Sequence, residues 1–310
     1  MPSKIVVTGV ASLYMAMSVD EPPLPYKPAC SPSWLRAGAA GAGYHIAKIL
    51  RELGDEVSLC TVVGLDLPGS LIRAELLSAG LLGPGTINAR ASSLGVVLVA
   101  PDGRRMGHPH LSVLNAVEYP QDLFRQNARG ADLAVITNAR FARPLLRHAR
   151  ELGVPVAVDV HLIADLGDGY NRPWLEAADV IFCSDERLPC APAKWVRRIF
   201  GRYPGCAIAA VGCGNAGCVL GVADGRLVRV GAVAPRGVVS TAGAGDTLFA
   251  SFLHSWLATG NPLSAIERAV LHAGWVVGDS FPCGAALTGP ELDTLAAICA
   301  VRAELSRWDT

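Results

Sequence analysis

Residues 240–253 read STAGAGDTLFASFL, and they hold the chain's sharpest chemical signal. Gly243, Ala244 and Gly245 run directly into Asp246. Apolar residues then recur at Leu248, Phe249, Phe252, Leu253, Trp256 and Leu257, one face of a helix. A helix start presents unpaired backbone N–H groups and the positive end of the helix dipole. Gly and Ala leave that backbone open to an anion. A carboxylate beside the cup could take a proton from an attacking hydroxyl, and donors on a transferring group plus a base on its nucleophile are what phosphoryl transfer needs. The same residues also fit a plain helix start, because Asp is a favoured N-cap. This segment alone leaves both readings open.

Other chemistry-bearing residues form weaker patterns. No two of the nine cysteines are spaced as C-x-x-C, so free thiols in a reducing cytoplasm are expected. The seven histidines include no H-E-x-x-H pair, and His108 and His110 flank Pro109 as loop residues would. GAAGAGYHIAK at 38–48 imitates a dinucleotide fingerprint, with Tyr44 and Lys48 imitating a dehydrogenase pair. That fingerprint works only after a strand. The preceding Cys30-Ser31-Pro32-Ser33 is not expected to be one, so a nicotinamide enzyme is disfavoured.

The elements that must position Asp246 alternate in type. Strands are expected at Lys4–Thr8, Val57–Val63, Leu133–Ile136, Val154–Asp159, Val180–Cys183 and Ala207–Val211, all unbroken apolar runs of the kind buried on both faces. Helices are expected at Tyr44–Leu53, at Leu145–Leu152 closed by Gly153, and around Trp195–Phe200. The alternation predicts an α/β fold with a mostly parallel sheet. Residues 95–106 read as a hairpin turning at Pro101-Asp102-Gly103, and 217–230 as another turning at Ala223-Asp224-Gly225. The Pro-rich stretch 20–33 cannot be a central element and is assigned, with the first hairpin, to a small β flap.

The 310 residues carry no net formal charge and are 51% hydrophobic, enough for one large α/β domain or two smaller ones and without a basic footprint for nucleic acid. No apolar run has the length of a membrane span. Residues 4–19 resemble a secretory leader in composition, but Thr8, Gly9 and Ser12 interrupt them, and a first strand is the expected reading.

Taken in order, the motifs resemble the ribokinase-like (PfkB) family of carbohydrate and nucleoside kinases. STAGAGD is similar to its C-terminal signature, usually D-T-T-G-A-G-D, and GAGYHIAKILRELG to its N-terminal one. VGLDLPG at 63–69, the turn Asp102-Gly103-Arg104-Arg105, FCSDE at 182–186, VGCGNAG at 211–217 and Gly284-Ala285 fall where that family has its further motifs. The resemblance spans nearly the whole chain. It implies a single domain over 1–310 with a three-layer αβα core and a small β-sheet lid from about 10–33 and 88–112.

It also implies transfer of the γ-phosphoryl group of ATP to a hydroxyl. Asp246 would be the base, and the backbone of Gly243, Ala244 and Gly245 the anion hole. Thr241 would touch phosphate. Ser184, Glu186, Gly212, Gly214, Gly217, His272 and Gly284 would lie along the nucleotide, with Glu186 holding Mg²⁺ through water. Ser12, Tyr14, Gly41, His45 and Asn138 would face a small-molecule acceptor: a sugar, sugar phosphate or nucleoside. A homodimer through the lid is implied as well.

Three residues depart from the pattern. Tyr14 stands where the family usually has an Asp that holds two sugar hydroxyls; a phenol cannot accept two as a carboxylate does. His45 replaces a usual Asn and could bond a hydroxyl, stack on a ring or simply pack. Ser240 replaces an Asp that often helps bind a monovalent cation, so the resemblance does not carry that ion over. Losing the diol-binding Asp leaves a second class open, a non-catalytic nucleotide- or ligand-binding protein on the same fold.

Overall fold

The structure is a computed structural model that describes residues 2–281 and 284–308. The chain runs β1 (Lys4–Thr8), β2 (Ser12–Ser18), β3 (Leu35–Ala40), α1 (Ala42–Leu53), β4 (Glu56–Gly64), α2 (Leu67–Ser78), β5 (Thr86–Ala89), β6 (Ser93–Val99) and β7 (Arg105–His110). It continues through α3 (Gln121–Ala128), β8 (Leu133–Ile136), α4 (Leu145–Glu151), β9 (Val156–Leu162), α5 (Arg172–Ala177), β10 (Val180–Ser184), α6 (Pro192–Arg202) and β11 (Ile208–Gly212). The last elements are β12 (Cys218–Val222), β13 (Arg226–Val230), α7 (Ala244–Thr259), α8 (Pro262–Val276), α9 (Gly289–Ile298) and β14 (Ala303–Arg307).

Ten strands form the central sheet in the order β14-β13-β12-β11-β10-β9-β8-β1-β4-β5. Every pair from β11 to β5 is parallel, and β12, β13 and β14 extend the sheet antiparallel. Alternation along each strand divides the apolar side chains between two layers of helices. Ile5, Val7, Leu133 and Phe182 join α1, α7 and α8 on one face. Val6, Ala134, Ile136 and Val158 join α3, α4 and α6 on the other. This is the three-layer α/β architecture that the unbroken apolar runs imply.

Four strands form a separate small sheet in the order β3-β2-β6-β7. Its outer ladders are antiparallel and the central β2–β6 pair is parallel. The Pro-rich residues 20–33 form no strand, and β3 lies just beyond them. A strand therefore does precede the Gly-rich turn, against expectation. It pairs antiparallel with β2 in the small sheet, however, and is not the parallel-sheet strand of a dinucleotide site.

The turn's glycines are set by geometry. Gly41 has φ +99° as the N-cap of α1, a conformation that favours glycine. A Cβ on Gly43 would lie 2.4 Å from the carbonyl carbon of Gly9. Only a bare backbone lets the first turn of α1 sit against the end of β1, and that seat fixes where His45 points.

Candidate active site

Helix α7 begins at Gly243, its N-cap, with φ +80° and no side-chain capping bond. Asp246 therefore lies inside the first turn and does not cap the helix. The face predicted from periodicity is buried: Phe249 and Phe252 pack on Phe182 of β10 with ring centroids 4.9 and 5.2 Å away. Burying such side chains contributes about 1.5–3 kcal/mol each. The anchored helix holds its N-terminus at the carboxyl ends of the parallel strands, where open α/β sheets bind ligands. Gly245 is exposed there, and a Cβ placed on it would meet no atom of the described residues within 4 Å.

The Asp246 side chain is only 12% exposed, and its Oδ2 lies 2.9 Å from Nδ1 of His45. Burial alone would push its pKa up. The His45 hydrogen bond and charge, then the charges of His161 and Arg105, outweigh burial and hold Asp246 below the ordinary carboxylate range. An ionised carboxylate only accepts, so Nδ1 of His45 donates. Its Nε2 is buried with no hydrogen-bond partner among the described residues. Of the open readings for His45, simple packing on a helix face is thus excluded, since the ring engages the central carboxylate.

Tyr14 comes into the same neighbourhood. Burial and then the Asp246 charge raise its phenol pKa. Its ring fills the space over Gly95, where a Cβ would stand 2.5 Å from Cε1. With Trp34 and Phe281 it packs on the cluster of Ala16, Val97, Val99 and Ala242, between the small sheet and the segment leading to α7. Thr241 is held to the small sheet: its backbone N and its Oγ1 both donate to Gly103 O, at 3.1 and 3.0 Å. Arg105 Nε donates to Thr241 O at 3.5 Å. The turn of the β6–β7 hairpin thus rests on the segment that enters the glycine cup.

The remaining residues divide between open and occupied. Glu186 and Gly214 are exposed, and Gly212 and Ser184 half-buried, at and just beyond the carboxyl ends of β10 and β11. Ser184 Oγ accepts from Glu186 N. A Cβ on Gly217 would lie 1.9 Å from Val230 O, so that loop needs glycine. Gly284 is exposed, its N donating to Phe281 O. Others are committed to the protein. Ser12 Oγ is 2.6 Å from Ser93 Oγ in a buried pair. Asn138 Nδ2 donates to Asn171 Oδ1 and Val160 O. Ser240 Oγ accepts from Ala242 N.

His272 is fully buried, and both its nitrogens are taken by Ser251 Oγ and Leu287 N. Burial first, then His254 and Arg268, lower its pKa to about 3. It is a neutral ring that positions the Leu287 segment, with no nitrogen free for an adenine. Sequence reasoning missed Asp159 and His161, whose ligand atoms lie with those of Asp246 within 4.8 Å of one another. Their spacing in VDVHL, two residues apart at a strand end, was the available signal.

Comparison with known proteins decides the family. Residues 203–285 match the pfkB family carbohydrate kinase. The chain is 31% identical over 260 residues to the ATP-dependent ribose-1-phosphate kinase of Halopiger xanaduensis, covering 83% of this chain and 82% of that one. The chain belongs to the pfkB family of carbohydrate kinases. It is also 28% identical to the acarbose 7(IV)-phosphotransferase of an Actinoplanes species, over 87% of this chain and 90% of that one. Among solved structures, ribokinase from Arabidopsis thaliana superposes with TM-score 0.78 at 19% identity, over 95% of this chain and 99% of that one. The fold is therefore ribokinase-like, and this pfkB kinase is a phosphotransferase with an alcohol group as acceptor.

Proposed function

We propose that this kinase moves the γ-phosphoryl group of ATP to a hydroxyl of a sugar or sugar-like acceptor, with Asp246 as the general base. One observation carries the reading: an ionised, nearly buried carboxylate that caps nothing sits inside the first turn of a helix whose entrance is bare glycine backbone. The backbone N–H groups of Gly243 and Gly245 face the transferring oxyanion, that of Ala244 joins them by leaving Thr241 O, to which it donates at 3.3 Å here, and Asp246 takes the proton of the attacking hydroxyl. His45 holds the carboxylate in place. Asp185 and Glu186, carboxylates at the end of β10, suit a hard ion such as Mg²⁺, which spreads the phosphate charge when bound.

The small sheet acts as a lid, its turn closing over the site and excluding water that would otherwise take the phosphoryl group. Residues 1–310 make one kinase domain in this reading. In this reading the protein works in a reducing cytoplasm, where its cysteines stay thiols.

Tyr14 and its aromatic neighbours offer a ring face where the family usually offers a carboxylate. A sugar ring or a nucleoside base could lie on that face, so a nucleoside acceptor is the second reading. ADP release from ATP–Mg²⁺ against sugars, sugar phosphates, nucleosides and polyols tests both. Turnover with one class names the acceptor. ATP bound but never consumed would favour a binding protein and remove the base from Asp246.

His45→Asn gives a pH prediction. Asp246 loses activity when protonated, and its lowered pKa places that loss at acidic pH. Removing the imidazole removes the strongest lowering influence, so the Asp246 pKa rises. The acid limb of kcat should move to higher pH, with the neutral-pH rate affected less. An unmoved limb in a rate-versus-pH profile would refute the coupling.

The lid's outer face supports a homodimer. Met15 and Val96 are register neighbours, and Leu35, Leu94 and Met106 extend the same exposed apolar surface. Val96→Glu should halve the mass measured by light scattering while leaving the thermal melt of the monomer intact. A wild-type protein already monomeric at tens of micromolar would exclude this contact.

A further inference from the structure

Strand β9 ends in a feature that its neighbours do not share. Phe182 of β10 faces Asp159 and Ser184 faces Leu162, so β9 carries one extra residue over that interval. Such bulges re-aim side chains at sheet ends. Here the bulge brings His161 to φ +55°, the sole positive φ among the described non-glycine residues. Asp159 Oδ1 accepts from His161 N at 2.8 Å, and the ring's Nδ1 is 3.5 Å from Asp159 Oδ2. The Asp159 side chain is 8% exposed, and among the described residues its ion-pairing partner is this ring. Across from it stands Asp246, and one ligand atom from each of the three residues falls within 4.8 Å of the other two.

We propose that Asp159, His161 and Asp246 form a binding site for a divalent transition-metal ion of the zinc class, taken up by the protein without nucleotide. Two carboxylates and one imidazole make a mixed oxygen–nitrogen set. Three protein ligands with open positions are a common arrangement for Zn²⁺ and its neighbours. Mg²⁺ strongly prefers oxygen and keeps its waters, so this set discriminates against it. All three ligand atoms already lie within 4.8 Å of one another, and the half-exposed His161 ring has room to rotate toward an ion. His45 on Asp246 orients the ligating carboxylate in the way outer hydrogen bonds usually do.

The consequence rests on the reading of Asp246 as base. A carboxylate oxygen bound to a metal cannot also take a proton, so metal and acceptor exclude one another. The site would make the kinase sensitive to zinc.

The test begins without activity. Co²⁺ is titrated into the chelator-stripped full-length protein with no nucleotide present. Visible d–d absorption should saturate near one equivalent, and excess Mg²⁺ should not displace it. His161→Ala and Asp159→Asn should each weaken Co²⁺ at least tenfold, with circular dichroism showing both variants folded. No saturable absorption would overturn the proposal. So would unchanged affinity in both variants, or a near-ultraviolet thiolate band placing cobalt on cysteines. In the kinase assay, Zn²⁺ should compete with the acceptor, and His161→Ala should need at least tenfold more Zn²⁺ for the same fractional inhibition. If the chain phosphorylates nothing in the panel, the cobalt arm still decides the site.

Discussion

Asp246→Asn is expected to lower kcat by about 10²–10⁴, the range general acid–base catalysis supplies, while ATP affinity and the thermal melt change little. The amide has the shape of the carboxylate, and its Oδ1 can still accept from Nδ1 of His45, so the contact at 2.9 Å survives. The side chain makes no capping bond to the helix, so the start of α7 loses no partner. What disappears is the ability to take a proton. Steady-state turnover with the best acceptor, ATP affinity by calorimetry and a melting curve together separate loss of the base from loss of fold. Wild-type turnover in this variant would remove Asp246 from the chemistry. Equal loss of ATP affinity and rate would move it from base to nucleotide ligand.

The core was legible because it obeys simple rules. Lys4–Thr8 and Leu133–Ile136 are strands over just the residues that apolar continuity marks. β9 was read two residues early and three short. Val154 N still bonds Ala149 O behind the helix, Pro155 has no N–H to donate, and the bulge carries the strand on to Leu162. β3 was missed because LRAGAA holds no β-branched residue and its first half is exposed; it is a strand only because β2 lies beside it.

The same division runs through the site. The glycine cup and Asp246 are contiguous in sequence and were readable as a unit. The His45–Asp246 contact joins residues 201 apart, and it depends on the close approach of Gly43 to Gly9. Periodicity and spacing carry no information about such a meeting. His272 shows the reverse error: its place in the motif order suggested adenine, yet burial and two protein partners make it part of the frame.

Gly245→Val should separate anion binding from folding more cleanly than any substitution at Asp246. Added atoms at Gly245 point into open space, since no atom of the described residues lies within 4 Å of its Cβ position, and the residue stands in helical conformation at the second position of α7. Valine is no worse than glycine inside a helix, so the melting temperature should hold or rise slightly. Gly43 provides the contrast, because its Cβ would collide with the Gly9 backbone at 2.4 Å. At Gly245 the branched side chain instead fills the cup through which phosphate oxygens reach the N–H groups. Losing access to such donors costs about 3–4 kcal/mol, or 10²–10³ in rate. Both ATP affinity and kcat should therefore fall while the fold stays intact. Phosphoryl transfer that proceeds normally past the valine would mean that the anion is held elsewhere, and that the bare backbone ahead of Asp246 serves only to turn the chain into its helix.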